Sequence, residues 1–412
     1  MSLINIMKIK IIFLLSIILL SSCSEDYEYN ENDFNLNGGI GRTNNFEHFG
    51  NTPLQLAVEN NLISDDSSGV IQTALRLKSP YWIVSTVNGN IIRLNNNTAD
   101  KYFKIDSSYV TATGMTADKN QNIYFIASDD RFYALSENLE LKWIKDLPVR
   151  QSRALTYSDL LALDDCIYIG TNDGDIFKYD NEGNLKWSIK SSLAVVKSFS
   201  ADSSGNIYSA LTNNSFGAND SLICIDSGGN ILWGKELTST RILSSSVYSK
   251  GRIYVSGSYD TEDDRFGKTY CFDRNGNEIW NSQSSLPGKN VSVDNMGNCY
   301  VAGISSGVGE VKAGIFSFDK FGKESWKLYF GAAPISPLII SEKYLSLTSF
   351  TGDGAAYLIF RKSDGLLVKN HSLSNFPPLY LQPVVADDAT IKLFGSSKLT
   401  NINFTQTSLN LF

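Results

Sequence analysis

The sequence predicts an all-β fold, a β-propeller of eight four-stranded blades, with seven as the alternative count. Three observations carry that expectation. Tryptophan returns at Trp143, Trp187, Trp233, Trp280 and Trp326, in steps of 44, 46, 47 and 46 residues, a period that marks a repeat array. The tryptophans close similar phrases, Ile176-Phe-Lys-Tyr-Asp-Asn-Glu-Gly-Asn-Leu-Lys-Trp187, Leu222 to Trp233 and Tyr270 to Trp280, in which a glycine stands four residues before the indole. Two apolar runs joined by Asp, Asn and Gly form a hairpin, because glycine takes the positive φ of the turn. Upstream of each tryptophan lies a second marker: Asn122-Ile-Tyr124, Cys166-Ile-Tyr168, Asn206-Ile-Tyr208, Arg252-Ile-Tyr254 and Asn298-Cys-Tyr300. Several of these first hairpins turn through Asp-x-x-Gly-Asn, as at Asp202–Asn206 and Asp294–Asn298. Two hairpins per repeat make four antiparallel strands, which is one propeller blade.

The chain opens on a segment of another kind. Lys8 and Lys10 precede the apolar run Ile11–Leu20, followed by Leu20-Ser21-Ser22-Cys23 and then an acidic stretch. Ten apolar residues are short for a membrane span, and the order basic, apolar, small is that of an export signal, for which Met7 is an equally good start. The tetrapeptide resembles the bacterial lipoprotein cleavage motif, in which the cysteine is acylated and becomes the mature N-terminus. Residues 1–22 are therefore expected to be a signal peptide and Cys23 the lipidation site, holding the protein at an envelope membrane with about 0.8 kcal/mol per buried methylene. Residues 23–52 read as a flexible acidic tether, with Glu25, Asp26, Glu28, Glu31 and Asp33 and no basic residue from Ser24 to Gly41. An acidic run directly after the cysteine resembles the surface-export signal of Bacteroidetes lipoproteins. A periplasm-facing anchor stays open beside it.

The propeller is expected over residues 53–412. Tyr81–Leu94 with Tyr102-Phe103 makes blade 1, aromatics standing in for the tryptophan, and five Trp-closed blades follow. Tyr344–Lys369, turning through Asp364-Gly365, makes blade 7. Residues 371–412 are one more period, with strand-like runs at Pro383–Ala386, Thr390–Phe394, Leu399–Phe404 and Ser408–Phe412, and are read as blade 8. Leu54–Val58 is a candidate extra strand to close the ring. Phe177/Tyr179, Tyr270/Phe272 and Phe316/Phe318 fall on alternating inward positions and are expected to pack between blades, as is the tryptophan series. Cys166, Cys224, Cys271 and Cys299 lie in apolar strands and read as small buried residues.

The second hairpin, an aliphatic strand, Asp, Gly and closing Trp, resembles the repeat of pyrroloquinoline-quinone-type (PQQ-like) propellers. The first, with Asp-x-x-Gly-Asn-x-Tyr, is similar to NHL-like repeats of secreted bacterial propellers. Together the resemblances span about residues 80–412 and imply fold more than function. The quinone-dependent dehydrogenases of this group use an adjacent Cys-Cys pair, and this chain has no such dipeptide. The eight-bladed propeller lipoproteins of the outer-membrane barrel-assembly machinery are similar in lipobox, blade count and length.

Net charge is −7 with the charges dispersed over the repeats, which gives nucleic acid no electrostatic footprint. The two histidines, His48 and His371, lie in no nucleophile motif, and no metal-ligand spacing is present, so no catalytic residue, metal or cofactor is expected. Asp180-Asn-Glu-Gly183 and Asp273-Arg-Asn-Gly276 read as turns and not as calcium loops.

One irregularity survives subtraction of the repeat. From the marker Tyr to the Trp position is 19 residues in blades 2 and 3 but 25, 26 and 26 in blades 4 to 6, and about 25 in blade 7. The inserts Asn213–Asp220, Ser258–Lys268, Ser305–Lys312 and Ser349–Ala355 should raise a wall of loops on one rim, where function collects. The leading expectation is a membrane-anchored, non-catalytic extracytoplasmic scaffold. A protein or peptide partner would meet Phe216, Tyr259 and Phe266 as apolar anchors, with Asp260, Asp263 and Asp264 steering it. The second is a sugar- or quinone-related ligand or enzyme site in the central channel.

Overall fold

The computed structural model describes residues 53–404 except 62–70, 79, 96–97, 107–108, 149–156, 192–193, 214–218, 239, 245, 261–264, 308–309, 335, 352–353, 374–381, 386–389 and 396–397. Seven blades each come from one contiguous segment. Blade 1 has strands Ile71–Arg76, Tyr81–Thr86, Asn90–Asn95 and Thr98–Lys104; blade 2 has Thr116–Ala117, Ile123–Ile126, Arg131–Leu135 and Leu141–Asp146. Blade 3 runs Tyr157–Leu163, Cys166–Thr171, Asp175–Asp180 and Leu185–Lys190, and blade 4 Ala194–Ala201, Ile207–Asn213, Asp220–Ile225 and Ile231–Leu237. Blade 5 has a first strand broken into Thr240–Ile242 and Val247–Ser249, then Arg252–Asp260, Arg265–Asp273 and Glu278–Ser284. Blade 6 has Gly288–Val293, Cys299–Gly307, Glu310–Phe318 and Glu324–Phe330. Blade 7 has Ala333–Pro334 with Ile339–Ile340, then Tyr344–Thr351, Gly354–Arg361 and Leu367–Leu373. In each, the strands pair antiparallel in sequence order.

The expectation of eight repeat-built blades is corrected to seven. Residues 371–412 do not make a blade of their own: Leu367–Leu373 is the outer strand of blade 7, and among the described residues the tail contributes Gln382–Val385, Thr390–Gly395 and Lys398–Phe404. Those three form a composite sheet whose fourth strand, Pro53–Asn61, pairs antiparallel with Lys398–Phe404. The expected run Ser408–Phe412 lies outside the described residues. The physical reason is edge pairing. The N-terminal strand satisfies the hydrogen-bonding edge of Lys398–Phe404, so both chain ends are tied into one sheet that lies against the inner strand of blade 1.

The two sequence markers meet inside each of blades 2 to 6. Tyr124, Tyr168, Tyr208, Tyr254 and Tyr300 lie against Trp143, Trp187, Trp233, Trp280 and Trp326, with ring centroids 5.8–6.2 Å apart. In blades 2, 4 and 6 the tyrosine hydroxyl donates to the turn aspartate, Asp118, Asp202 or Asp294, at 2.9–3.1 Å. The same carboxylate accepts two backbone amides of its turn, as at Asp202 from Ser204 and Asn206.

Each indole then crosses to the next blade. Trp143, Trp187, Trp233, Trp280 and Trp326 donate Nε1–H to the carbonyls of Asn181, Ser227, Arg274, Lys320 and Lys362, at 2.7–3.2 Å. The rings cover Gly183, Gly229, Gly276, Gly322 and Gly365 of those turns. A Cβ built on these glycines would meet indole atoms at 2.6–3.1 Å, and their φ values of 74–92° already favour glycine.

Blade 1 has no tryptophan on its outer strand, and its one indole, Trp82, is buried in the blade's own core. Register places Lys101 opposite Arg93 where the other blades put tryptophan opposite Ala134, Lys178, Cys224, Cys271 or Ser317. Of the expected stand-ins, Tyr102 is 62% exposed, while Phe103 crosses to blade 2 and packs edge-on to Tyr133. Arg93 makes the polar crossing. Its Nη1 donates to the Glu137 carbonyl at 3.1 Å, the position equivalent to Asn181, and to Asn138 Oδ1 at 2.7 Å, while Asp100 holds Nε and Nη2. The glycine position of that turn is taken by Leu139 at φ 60°, whose side chain fills the blade 1–2 core where no indole lies.

Trp233→Ala should cost about 3 kcal/mol, the low end of large-to-small core changes because the ring is half-buried. An unchanged melting temperature would refute the docking role. Arg93→Ala should also destabilise, and Arg93→Ala/Lys101→Trp/Leu139→Gly should recover part of the loss by installing the pair used elsewhere. Calorimetry of the three variants decides. The Asp180 carboxyl is opposed by burial, but the Asn184 amide and side chain and Lys186 outweigh it and hold it at about 2 against an ordinary 3.8. A folded pKa below the unfolded one means stability present above pH 4 and lost as pH falls toward 2. Asp180→Asn should flatten that limb of an acid titration followed by circular dichroism.

Candidate protein-interaction face

The described residues of the inserts that lengthen blades 5 to 7 are chiefly β-structure and not loops, while residues 214–218 of the blade 4 insert lie outside the described residues. In blade 5 the pairing continues through Gly257↔Lys268, Ser258↔Gly267, Tyr259↔Phe266 and Asp260↔Arg265, and in blade 6 out to Gly307↔Glu310. Blade 7 pairs to Thr351↔Gly354. Blade 2 stops at Ile126↔Phe132. The added residues pair with each other along an existing hairpin, satisfying their amides, so the rim carries ribbons held at their bases.

Of the expected anchors, the structure brings Tyr259 and Phe266 together as directly opposed, half-buried residues near the end of the blade 5 ribbon. Lys268 lies with Nζ 4.7 Å from the Tyr259 ring centroid and 5.1 Å from that of Tyr270. The Asp260 backbone ends the strand, and its side chain lies outside the described residues, as do Phe216, Asp263, Asp264 and Cys23. The base of the blade 4 hairpin is fixed by Asp220, which accepts the Asn213 amide at 2.7 Å.

Sequence reasoning missed an open cavity of about 600 Å³ at the same end of the molecule. It is lined by Ser285 and Leu286 of the blade 5–6 connection and by Lys312, Ala313, Tyr329, Phe330 and Gly331 of blade 6. The connection is pinned from both sides, by Ser284 Oγ donating to the Leu286 carbonyl at 2.9 Å and by the Ile304 amide donating to the Pro287 carbonyl at 3.1 Å. Tyr329, 49% exposed, is hydrogen-bonded to Ser285 across the cavity and packs edge-on to Phe316. A signal existed: only blade 6 has aromatics both three and four residues after its tryptophan position.

What this face offers chemically is contact area. Burial pushes the Cys224 and Cys271 thiols up to about 12 and raises Cys299 well above its ordinary value, so these are inert packing groups. Cys166 is half-buried, and all four are unpaired thiols. Asp180, Asp226 and Asp273 each accept amides of their own turns, as turn carboxylates and not metal ligands do.

The repeat, with its indole-capped glycine turn, is that of a β-propeller and resembles the pyrroloquinoline-quinone-type repeat. Residues 67–207, from blade 1 to the start of the second strand of blade 4, match a family model described as outer membrane protein assembly factor BamB. The fold is similar to that of BamB from Moraxella catarrhalis, with 13% identity and a TM-score of 0.61 over 84% of this chain and 99% of that one. It is also similar to the Dos1 propeller, with 12% identity and a TM-score of 0.63 over 86% and 96%. No curated protein matches the chain. At these identities the likeness is one of fold, and the lengthened hairpins of blades 5 to 7 lie beyond the matched segment.

Proposed function

We propose that this protein is a non-catalytic scaffold of the cell envelope, anchored by an acylated Cys23, that binds a protein partner on its long-hairpin face. The observation that carries the reading is the conjunction on one end of ribbon-mounted aromatics, Tyr259 and Phe266, with a half-open cavity containing the exposed ring of Tyr329. Aromatics on a rigid support provide large contact area at small entropic cost, which is the make-up of an interaction hot spot. The resemblance to an outer-membrane assembly factor supports an envelope location and a protein partner. Phe216, Asp260, Asp263 and Asp264 complete the proposed face, the acids steering a basic part of the partner.

Trimming the blade 5 and 6 hairpins to the blade 3 length should leave the melting temperature within a few degrees, because loop closure varies slowly with length. It should abolish co-purification of partners from cross-linked native membranes. A folded, trimmed protein that retains every partner at wild-type yield would refute the assignment. Cys23→Ser should move the protein from the membrane to the soluble fraction, and persistence on alkali-washed membranes would contradict acylation.

A further inference from the structure

The inner strands of blades 4, 5 and 6 carry exposed cations at the hairpin end of the channel: Lys197, Arg241 and Lys289. Two sit at the same register. Lys197 bulges between Val196↔Leu211 and Ser198↔Ala210, and Lys289 between Gly288↔Gly303 and Asn290↔Ala302. A bulge re-aims its residue out of the pleat, and here both flanks of Lys197 are buried while it is exposed. Arg241 is opposite Ser258, at the base of the long blade 5 ribbon. None of these inner strands contains a carboxylate. Among the described side chains the nearby acid is Asp220, within electrostatic reach of both Arg241 and Lys197, buried and spent on the amides of Asn213 and Ile242. Three like charges on neighbouring strands repel one another, and a channel mouth of low-dielectric walls concentrates anions. Blade 6 continues outward from Lys289 to the cavity lined by Leu286, Tyr329 and Phe330, so cationic and apolar subsites lie along one radius.

We infer that this radius binds an extended partner segment carrying acidic side chains at the channel mouth and an apolar side chain in the blade 6 cavity. The inference rests on the long-hairpin face being the partner surface and names the chemistry of what it takes. It also divides the face. The acids proposed above, Asp260, Asp263 and Asp264, address basic parts of the same partner, and the channel mouth its acidic segment.

The test is selection of a random displayed-peptide library on the full-length protein in detergent, with counter-selection on the Lys197→Gln/Arg241→Gln/Lys289→Gln variant. The cations are exposed, so an unchanged melting temperature shows the variant is folded. The expected result is enrichment of peptides with Asp or Glu a few residues from Leu or an aromatic. Each single charge removal should weaken a selected peptide about tenfold and lower its salt dependence. Phe330→Ser should weaken it similarly at unchanged salt slope. Enriched peptides that lack acids, or that bind the triple variant equally, overturn this inference; if they are instead lost on trimming the hairpins, the broader reading stands. No enrichment, together with partner capture that survives trimming, sinks both. Displacement of the peptide by citrate or phosphate alone at micromolar levels would show a small-anion site and also overturn it.

Discussion

A propeller blade has two open flanks and no covalent reason to stay beside its neighbour, so the ring depends on whatever crosses from one sheet to the next. Here that is an indole laid on a glycine turn. Trp233 shows the arrangement: Tyr208 supports one side of it, its Nε1–H reaches the Arg274 carbonyl, and Gly276 lies under the ring so closely that no Cβ fits. The contact combines apolar burial with satisfaction of a turn carbonyl, and neither blade can make it alone. Its partners are backbone groups, which explains how turn sequences as different as Asp-Asn-Glu-Gly and Asp-Arg-Asn-Gly accept the same side chain.

That contact also accounts for how much of the fold could be read in the chain. The tryptophan recurs in blades 2 to 6 together with the tyrosine that packs on it and the glycine that it covers, so period and hairpin chemistry disclose them. Arg93 escaped because its role depends on register. Only the pairing Arg93↔Lys101 shows that it occupies the place facing the missing indole, and only then does Leu139 make sense as the filler of a turn with no ring above it. The fourth strand of the last sheet was legible as a strand, Leu54–Val58, that adds to the last unit and closes the ring. Its register was not, because Pro53–Asn61 and Lys398–Phe404 are some 340 residues apart and local patterning does not disclose which residues of a distant edge it will face. The inserts were visible as extra length, but their hydrogen bonding was not. A run such as Ser258–Lys268, broken by acids and a glycine, reads as loop until the opposing residues are known.

The two ends of the ring are built for different purposes. At the turn end, contacts between blades are dense: besides the indoles, Lys178 donates to the Ser227 carbonyl, Arg252 to Lys320, Lys250 to Asn295, and Lys362 lies 3.8 Å from Asp294. Polar groups there are consumed in holding the ring. The inner strands are stitched in a similar way by small hydroxyls, Ser292 to the Leu338 carbonyl and Ser246 to the Tyr208 carbonyl, which positions their bulges without using charge. Exposed cations and half-exposed aromatics are consequently surplus to the fold when they occur at the hairpin end.

Surplus is the useful criterion for function in a repeat protein, since anything the repeat requires appears in most copies. Tyr329 with Phe330, the ribbon bearing Tyr259 and Phe266, and Lys197 with Lys289 fail that test of necessity, and blades 2 and 3 fold with shorter hairpins and other residues at the matching positions. All of them belong to blades 4 to 6 and reach the same end. An array whose stability is secured by nearest-neighbour contacts can vary one sector at little cost to the rest. The physical separation of a repeat-built turn end from a divergent hairpin end thus lets one scaffold keep its ring while a single sector varies.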